Sequence, residues 1–167
     1  MENPSWDDYF MTWVYLAATK SKDKRTHIGA IIVGPGKEIR STGYNSFVRG
    51  LNDSIPERQV SPEKDYWFEH GERNAIYNAT RAGVSLMDCI MYTNGIPCME
   101  CARGVVQSGI KEVVVDKKWD SGSSEKRRQH NKRTLEMFAE VGVNLRYHDT
   151  NYMEIKKMND GIISPLK

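Results

Sequence analysis

Apolar residues at Phe10, Trp13, Val14, Leu16 and Ala17 recur at helical spacing, so the chain is predicted to open with an amphipathic helix. Ser5-Trp6-Asp7-Asp8 resembles a capping box with aspartate at its end, and the helix is predicted to run to about Ser21. The period then shortens. Two strands are predicted over 27–33 and 38–44, and Gly34-Pro35-Gly36-Lys37 between them favours a hairpin. Residues 45–66 carry no period and include Pro56 and Pro62, which predicts a loop. A loop of that length inside a compact domain is uncommon and usually functional.

From His70 onward helix and strand alternate. Helices are predicted over 70–82, closed by Gly83, over 97–107, ending near Gly109, and from a Ser124 cap to Val141, closed by Gly142. Strands fall at 89–93, around Val113-Val114-Val115 and at 143–147; residues after Thr150 read as a helix or tail. Such alternation predicts an α/β sandwich with parallel strands in its second half. With no internal repeat or linker, one domain over 1–167 is expected, its core at about 5–149 and a tail at 150–167.

The chain has 167 residues, 39% hydrophobic and 28% charged, enough to bury a core. Net charge is +2 from 24 basic and 22 acidic side chains, which gives no reason to expect a long polyanion as partner. Apolar runs are too short to span a membrane, and Met1-Glu2-Asn3-Pro4 does not begin a signal peptide. Three cysteines, two of them in one C-x-x-C, suit a reducing cytoplasm and a metal site better than a disulfide framework.

The chemistry gathers in His70-Gly71-Glu72 and Pro97-Cys98-Met99-Glu100-Cys101. One imidazole, two thiolates and a carboxylate at this spacing are the ligands and proton carrier of zinc nucleobase deaminases. His70, Cys98 and Cys101 make three zinc ligands, where a structural site normally has four, so a position is left for a water nucleophile. Cys89 could close the tetrahedron instead, although its apolar surroundings read as those of a buried free thiol. Cys98 and Cys101 share a face in a first helical turn, with Pro97 suited to the first helical position. His70 and Glu72 lie about 200° apart around a helix, so they can serve one site only just off its N-terminus. There the dipole favours thiolates and a metal-activated hydroxide. Glu72 would shuttle protons between that water, the pyrimidine N3 and the departing ammonia; alone, it would be an ordinary first-turn glutamate.

Further motifs extend the pattern: Ser21-Lys22-Asp23, Ile28-Gly29-Ala30, Gly43-Tyr44-Asn45, Glu72-Arg73-Asn74-Ala75-Ile76, Gln107-Ser108-Gly109-Ile110 and Phe138 to Val143. Together with the zinc motif they resemble the deoxycytidylate (dCMP) deaminases of the cytidine deaminase superfamily. The resemblance implies a three-layer α/β/α fold with a five-stranded mixed sheet of order 2-1-3-4-5. It also implies hydrolysis of dCMP to dUMP for thymidylate synthesis, one catalytic zinc, a cytoplasmic homo-oligomer (usually a hexamer) and no membrane or nucleic-acid partner. Asn45 would contact the sugar or base, or else be a turn residue bonding its own backbone. Arg49, Arg58 and Lys64, in the loop before His70, are candidates for the phosphate, with Asp53, Glu57 and Glu63 as competing partners. Trp119 could wall the base pocket or be half-buried structure, and Arg81 could meet another subunit.

Three departures stand out. Ser46 to Gly50 replaces the glycine and proline of regulated members, which argues against dCTP and dTTP feedback. Lys24 to His27 offers no cysteine for a second zinc, and Gly71 stands where alanine is usual. His27, His130 and His148 lack partners at ligand spacing. Lys126, Arg127, Arg128, Lys132 and Arg133 read as a solvated helix more than a nucleic-acid patch. Competing functions are deamination of dCTP, of 5-substituted dCMP or of a base in tRNA or single-stranded DNA, and a catalytically silent zinc scaffold.

Overall fold

A computed structural model describes residues 3–121, 124–154, 156–159 and 162–165. It opens with α1 (Trp6–Ala18), the hairpin strands β1 (Gly29–Val33) and β2 (Ile39–Tyr44), and a short β3 (Ser46–Phe47). A 3-10 turn (Pro56–Gln59), α2 (Lys64–Trp67) and β4 (Phe68–Glu69) lead into α3 (Gly71–Ala82). Then follow β5 (Ile90–Thr93), α4 (Met99–Gln107), β6 (Glu112–Asp116), α5 (Lys117–Ser121), α6 (Glu125–Val141) and β7 (Asn144–His148). β8 (Lys156–Asn159) and β9 (Ile162–Pro165) complete the described chain.

β2, β1, β5, β6 and β7 form one sheet in that order. β1 runs antiparallel to β2 and β5, whereas β5, β6 and β7 are mutually parallel. Counted among themselves, the five strands have the order 2-1-3-4-5. The two-residue period of a strand sorts their side chains. Ile31, Val33, Tyr92 and Val114 face α1, where Phe10, Met11 and Val14 cover them. Ala30, Ile32, Met91, Val113 and Val115 face the opposite layer, where Ala75, Ala79, Ala102, Val105 and Phe138 of α3, α4 and α6 are buried. Each large apolar side chain so buried stabilises the fold by about 1.5–3 kcal/mol. Helices therefore cover both faces.

Local signals hold where the physics is local. Ser5 caps α1 by accepting from the Asp8 amide at 3.0 Å, and Ser124 caps α6 in the same way. Gly83 ends α3 at φ 66° and Gly142 ends α6 at φ 77°, left-handed positions that glycine adopts without strain. Four expectations need correction. α1 stops at Ala18, where the Thr19 hydroxyl and amide take up the Leu16 carbonyl. Pro97 is not the first helical residue, because Cys98 is the cap of α4. The loop at 45–66 carries the 3-10 turn, most of α2, and β3, which pairs with β4. The tail is neither helix nor free end: β8 and β9 pair antiparallel. All these elements are four residues or shorter, too short to imprint a period on the sequence.

Candidate metal centre and substrate cavity

Both halves of the zinc motif sit where an extended segment turns into a helix. His70 caps α3 at φ −75°, ψ 152°, and Cys98 caps α4 at φ −65°, ψ 166°. Neither side chain bonds its own helix, so both remain available as ligands. α3 is seated tightly on β2: a Cβ at Gly43 would lie 2.2 Å from the Gly71 carbonyl and 2.3 Å from the Ala75 amide. Gly71 in turn fits against the Ile28 carbonyl, 3.0 Å from where its Cβ would stand. Glycine at 71 thus suits a close approach beside the metal ligand.

The His70 Nδ1 lies 3.5 Å from the sulfur of Cys98 and 3.5 Å from that of Cys101, and the two sulfurs are 3.5 Å apart. A tetrahedral zinc with bonds of about 2.3 Å to sulfur and about 2.0 Å to nitrogen sets such separations at about 3.5–3.8 Å. Geometry and the N, S, S donor set therefore fit zinc. These three side chains form the group able to hold a metal ion among the described residues. Cys89 is not part of it, being buried in the core with its sulfur on the Met87 carbonyl.

Two thiolates this close repel. The hydrogen bond from the Cys101 thiol, with His70 beside it, holds Cys98 down at about 3. The same bond, together with burial, pushes Cys101 far up. A divalent cation reverses the second shift by replacing the proton. Glu72 is 5% exposed, and its Oε2 is buried with no hydrogen-bond partner among the described residues. Burial pushes its carboxyl up, against the pull of His70. A buried polar atom without a partner costs about 1–3 kcal/mol. This one lies next to the ligand set, as a carboxyl kept for a reacting molecule would.

Arg73 was assigned no role from sequence, yet it joins both halves of the motif. Its guanidinium pairs with Glu69 and with Glu100 (2.9 Å), and places Nη1 3.7 Å from the Cys101 sulfur. Such an outer contact orients a ligand and offsets its charge. The signal was the i, i+4 pairing of Glu69 with Arg73 across the start of the motif helix.

A cavity of about 590 Å³ is lined by Tyr15, Ala18, Thr19, Arg25, Thr26, His27 and Trp119. Trp119 lines this cavity, and its ring lies 3.0 Å from where a Cβ of Gly95 would stand, on the loop leading to Cys98. Tyr15 meets Trp119 edge-on at 6.5 Å and donates its hydroxyl to Asp116 at 2.5 Å. Asp116 is fully buried and also accepts from Tyr152 and Thr150, fastening the C-terminal segment behind this wall.

The other anticipated contacts lie elsewhere. The Asn45 amide uses its full hydrogen-bonding capacity inside the protein: it accepts from Ser21 and Ile28 and donates to Asp23 and Thr26. It therefore holds the 21–28 segment, which borders the cavity. Arg58 lies over the Trp67 ring at 4.1 Å, and Lys64 is ion-paired to Asp23. Arg49 bonds Asn78 and, with Lys22, Asn74 and Arg81, lines a second cavity of about 490 Å³. None of the three phosphate candidates lines the cavity that contains Trp119. Spacing could not reveal partners so distant in the chain.

Residues 4–117 match the family model for the cytidine and deoxycytidylate deaminase zinc-binding region. The deoxycytidylate deaminase of Mus musculus is 36% identical over 157 residues, 90% of this chain and 83% of that one. A probable deoxycytidylate deaminase of Drosophila melanogaster is 38% identical over 119 residues, 65% of this chain but only 58% of its own length. In fold, the chain is similar to the dCMP deaminase of cyanophage S-TIM5 solved with dCMP and dUMP. The TM-score is 0.69 at 21% identity, covering 89% of this chain and all of that one. No helix among the described residues is long and apolar enough to cross a membrane.

Proposed function

The chain belongs to the zinc-binding family of cytidine and deoxycytidylate deaminases, and from that premise we propose that it hydrolyses dCMP to dUMP and ammonia. The observation that carries the reading is the unpartnered, buried Glu72 carboxyl beside three side chains spaced for zinc. His70, Cys98 and Cys101 would hold the zinc, which when bound supplies Lewis-acid activation of the attacking water. Glu72 takes a proton from that water and delivers it to the pyrimidine N3 as the oxygen adds to C4. The carboxylate then takes the proton of the new C4 hydroxyl and passes it to the amino nitrogen, the C4–N4 bond breaks and ammonia leaves. Burial suits Glu72 to this work, because a carboxyl whose pKa is raised by desolvation takes up a proton more readily than an exposed one.

Trp119 and Tyr15 would form an aromatic wall for the base, and the segment held by Asn45 the opposite side. A hexameric assembly and a cytoplasmic setting belong to the same reading. The test is ammonia release from dCMP by zinc-loaded protein, with Glu72→Ala as control. Release that disappears in the variant while its zinc stays bound supports the reading. A wild-type protein that holds zinc and releases no ammonia from any cytosine nucleotide would sink it in favour of a silent scaffold.

A further inference from the structure

We propose that residues 150–153 form a strap that fixes Tyr15 in the substrate wall, with Asp116 as its anchor and Thr150 and Tyr152 as positioning residues. The proposal rests on the deaminase reading above and on the place of Tyr15 in that wall. Tyr15 has two aromatic neighbours. Trp119, which lines the same cavity, meets its ring edge-on at 6.5 Å, and Tyr152 of the strap does so at 5.0 Å. The Tyr15 hydroxyl donates to Oδ2 of Asp116 at 2.5 Å, and the Tyr152 hydroxyl donates to that same oxygen.

The other oxygen, Oδ1, accepts from the Thr150 hydroxyl at 3.3 Å and from the Lys118 amide at 3.0 Å. Asp116 is fully buried, so these donors stand in for water around its carboxylate. Two of them belong to the strap. The Asp116 amide in turn bonds the Asn94 carbonyl at 3.2 Å, one residue before Gly95 on the loop to Cys98. One carboxylate therefore ties the strap to Tyr15, and its backbone meets the start of the loop that carries a metal ligand.

The strap itself is held in an unusual way. It lies between β7 and β8, and none of the backbone-to-backbone hydrogen bonds among the described residues involves 150–153. Side chains hold it instead. The Asn151 amide donates to Asp8 at 2.8 Å and the Met153 amide to Thr12 at 3.1 Å, both on α1. The Lys118 ammonium donates to the Thr150 carbonyl at 2.6 Å and lies 5.6 Å over the Tyr152 ring. A segment without ladder bonds opens at lower free energy than the strands beside it. When it opens, Tyr15 loses the ring against its edge and Asp116 loses two donors. Binding that needs Tyr15 in place therefore draws on a closed strap, and by linkage a bound nucleotide closes it. The coupling acts on binding; the bond-making steps belong to Glu72 and the metal ligands.

Tyr152→Phe removes one donor and keeps the ring, and Thr150→Val removes the other. In zinc-loaded protein each should raise KM for dCMP about 2- to 10-fold, as loss of one hydrogen bond does, with kcat nearly unchanged. Tyr152→Ala, which also removes the ring edge, should raise it further. Titration with dUMP, which needs no turnover, should weaken by the same factors, and dUMP should slow amide hydrogen exchange at Asn151 and Met153 of the wild type. Variants that melt earlier yet keep their KM and dUMP affinity would reduce the strap to packing and overturn the proposal. So would a fall in kcat at constant KM, or exchange at 151 and 153 that ignores dUMP. A wild type that binds dUMP but releases no ammonia from dCMP strikes the deaminase reading alone, and the dUMP results then decide the strap.

Discussion

At the scale of single residues, the centre works by holding reactive groups slightly short of satisfaction. Glu72 has no hydrogen-bond partner for one carboxylate oxygen, and the three ligand atoms stand 3.5 Å apart, as around a tetrahedral cation. Replacing Glu72 by glutamine keeps the shape and removes the proton carrier. Turnover should drop about 10²- to 10⁴-fold, with zinc content by elemental analysis unchanged. Arg73→Ala tests a different contact. Loss of the guanidinium at the Cys101 sulfur should weaken zinc binding about 10- to 100-fold in competition with a chromophoric chelator. An unchanged affinity would make Arg73 merely a surface brace. The group His70, Cys98 and Cys101 was legible in the chain because metal ligation fixes residue types and spacing. The partners of Arg49, Arg58 and Lys64 were not legible, since only the fold brings them near.

At the scale of elements, the fold positions the site by seating α3 on β2. Gly43 is the point of closest approach, and Gly43→Ala would drive a methyl group into backbone atoms at 2.2–2.3 Å. Overpacking of this kind costs about 1–3 kcal/mol. Because the displaced helix carries His70 at its cap, zinc affinity should fall together with the thermal midpoint; a stable variant with normal zinc binding would refute the coupling. Helices and strands with a sustained period were readable in the sequence, as were the caps at Ser5, Ser124, Gly83 and Gly142. The pairs β3–β4 and β8–β9 were not, because two to four residues cannot display a period and their pairing is a tertiary fact.

At the scale of the whole molecule, the two ends of the chain are tied together across the sheet. Asp7 at the start of α1 receives two hydrogen bonds from Arg146 of β7, each 2.8 Å, and one from Tyr92. Burial pushes the Asp7 carboxyl up, but these bonds outweigh it and the net shift is downward. Its contribution to stability is therefore complete above the unfolded pKa of about 3.9 and disappears as pH falls through the lower folded value. Thermal melts should show Asp7→Asn less stable than wild type at neutral pH, with the difference closing below about pH 4. A difference independent of pH would show that charge is not the cause. Metal removal acts on a smaller region. Because the core on both faces of the sheet excludes the ligands His70 and Cys98, chelation should lower the thermal midpoint and abolish turnover while leaving the far-ultraviolet circular dichroism unchanged. Collapse of the fold on chelation would instead make the zinc a structural one.

The central claim is hydrolytic removal of an amino group at this centre, and mass spectrometry of the product formed in ¹⁸O-labelled water tests it most directly. Zinc-loaded protein given dCMP should yield dUMP carrying one heavy oxygen at C4 and one equivalent of ammonia. Unconverted dCMP, with zinc bound and Glu72 intact, would contradict the account.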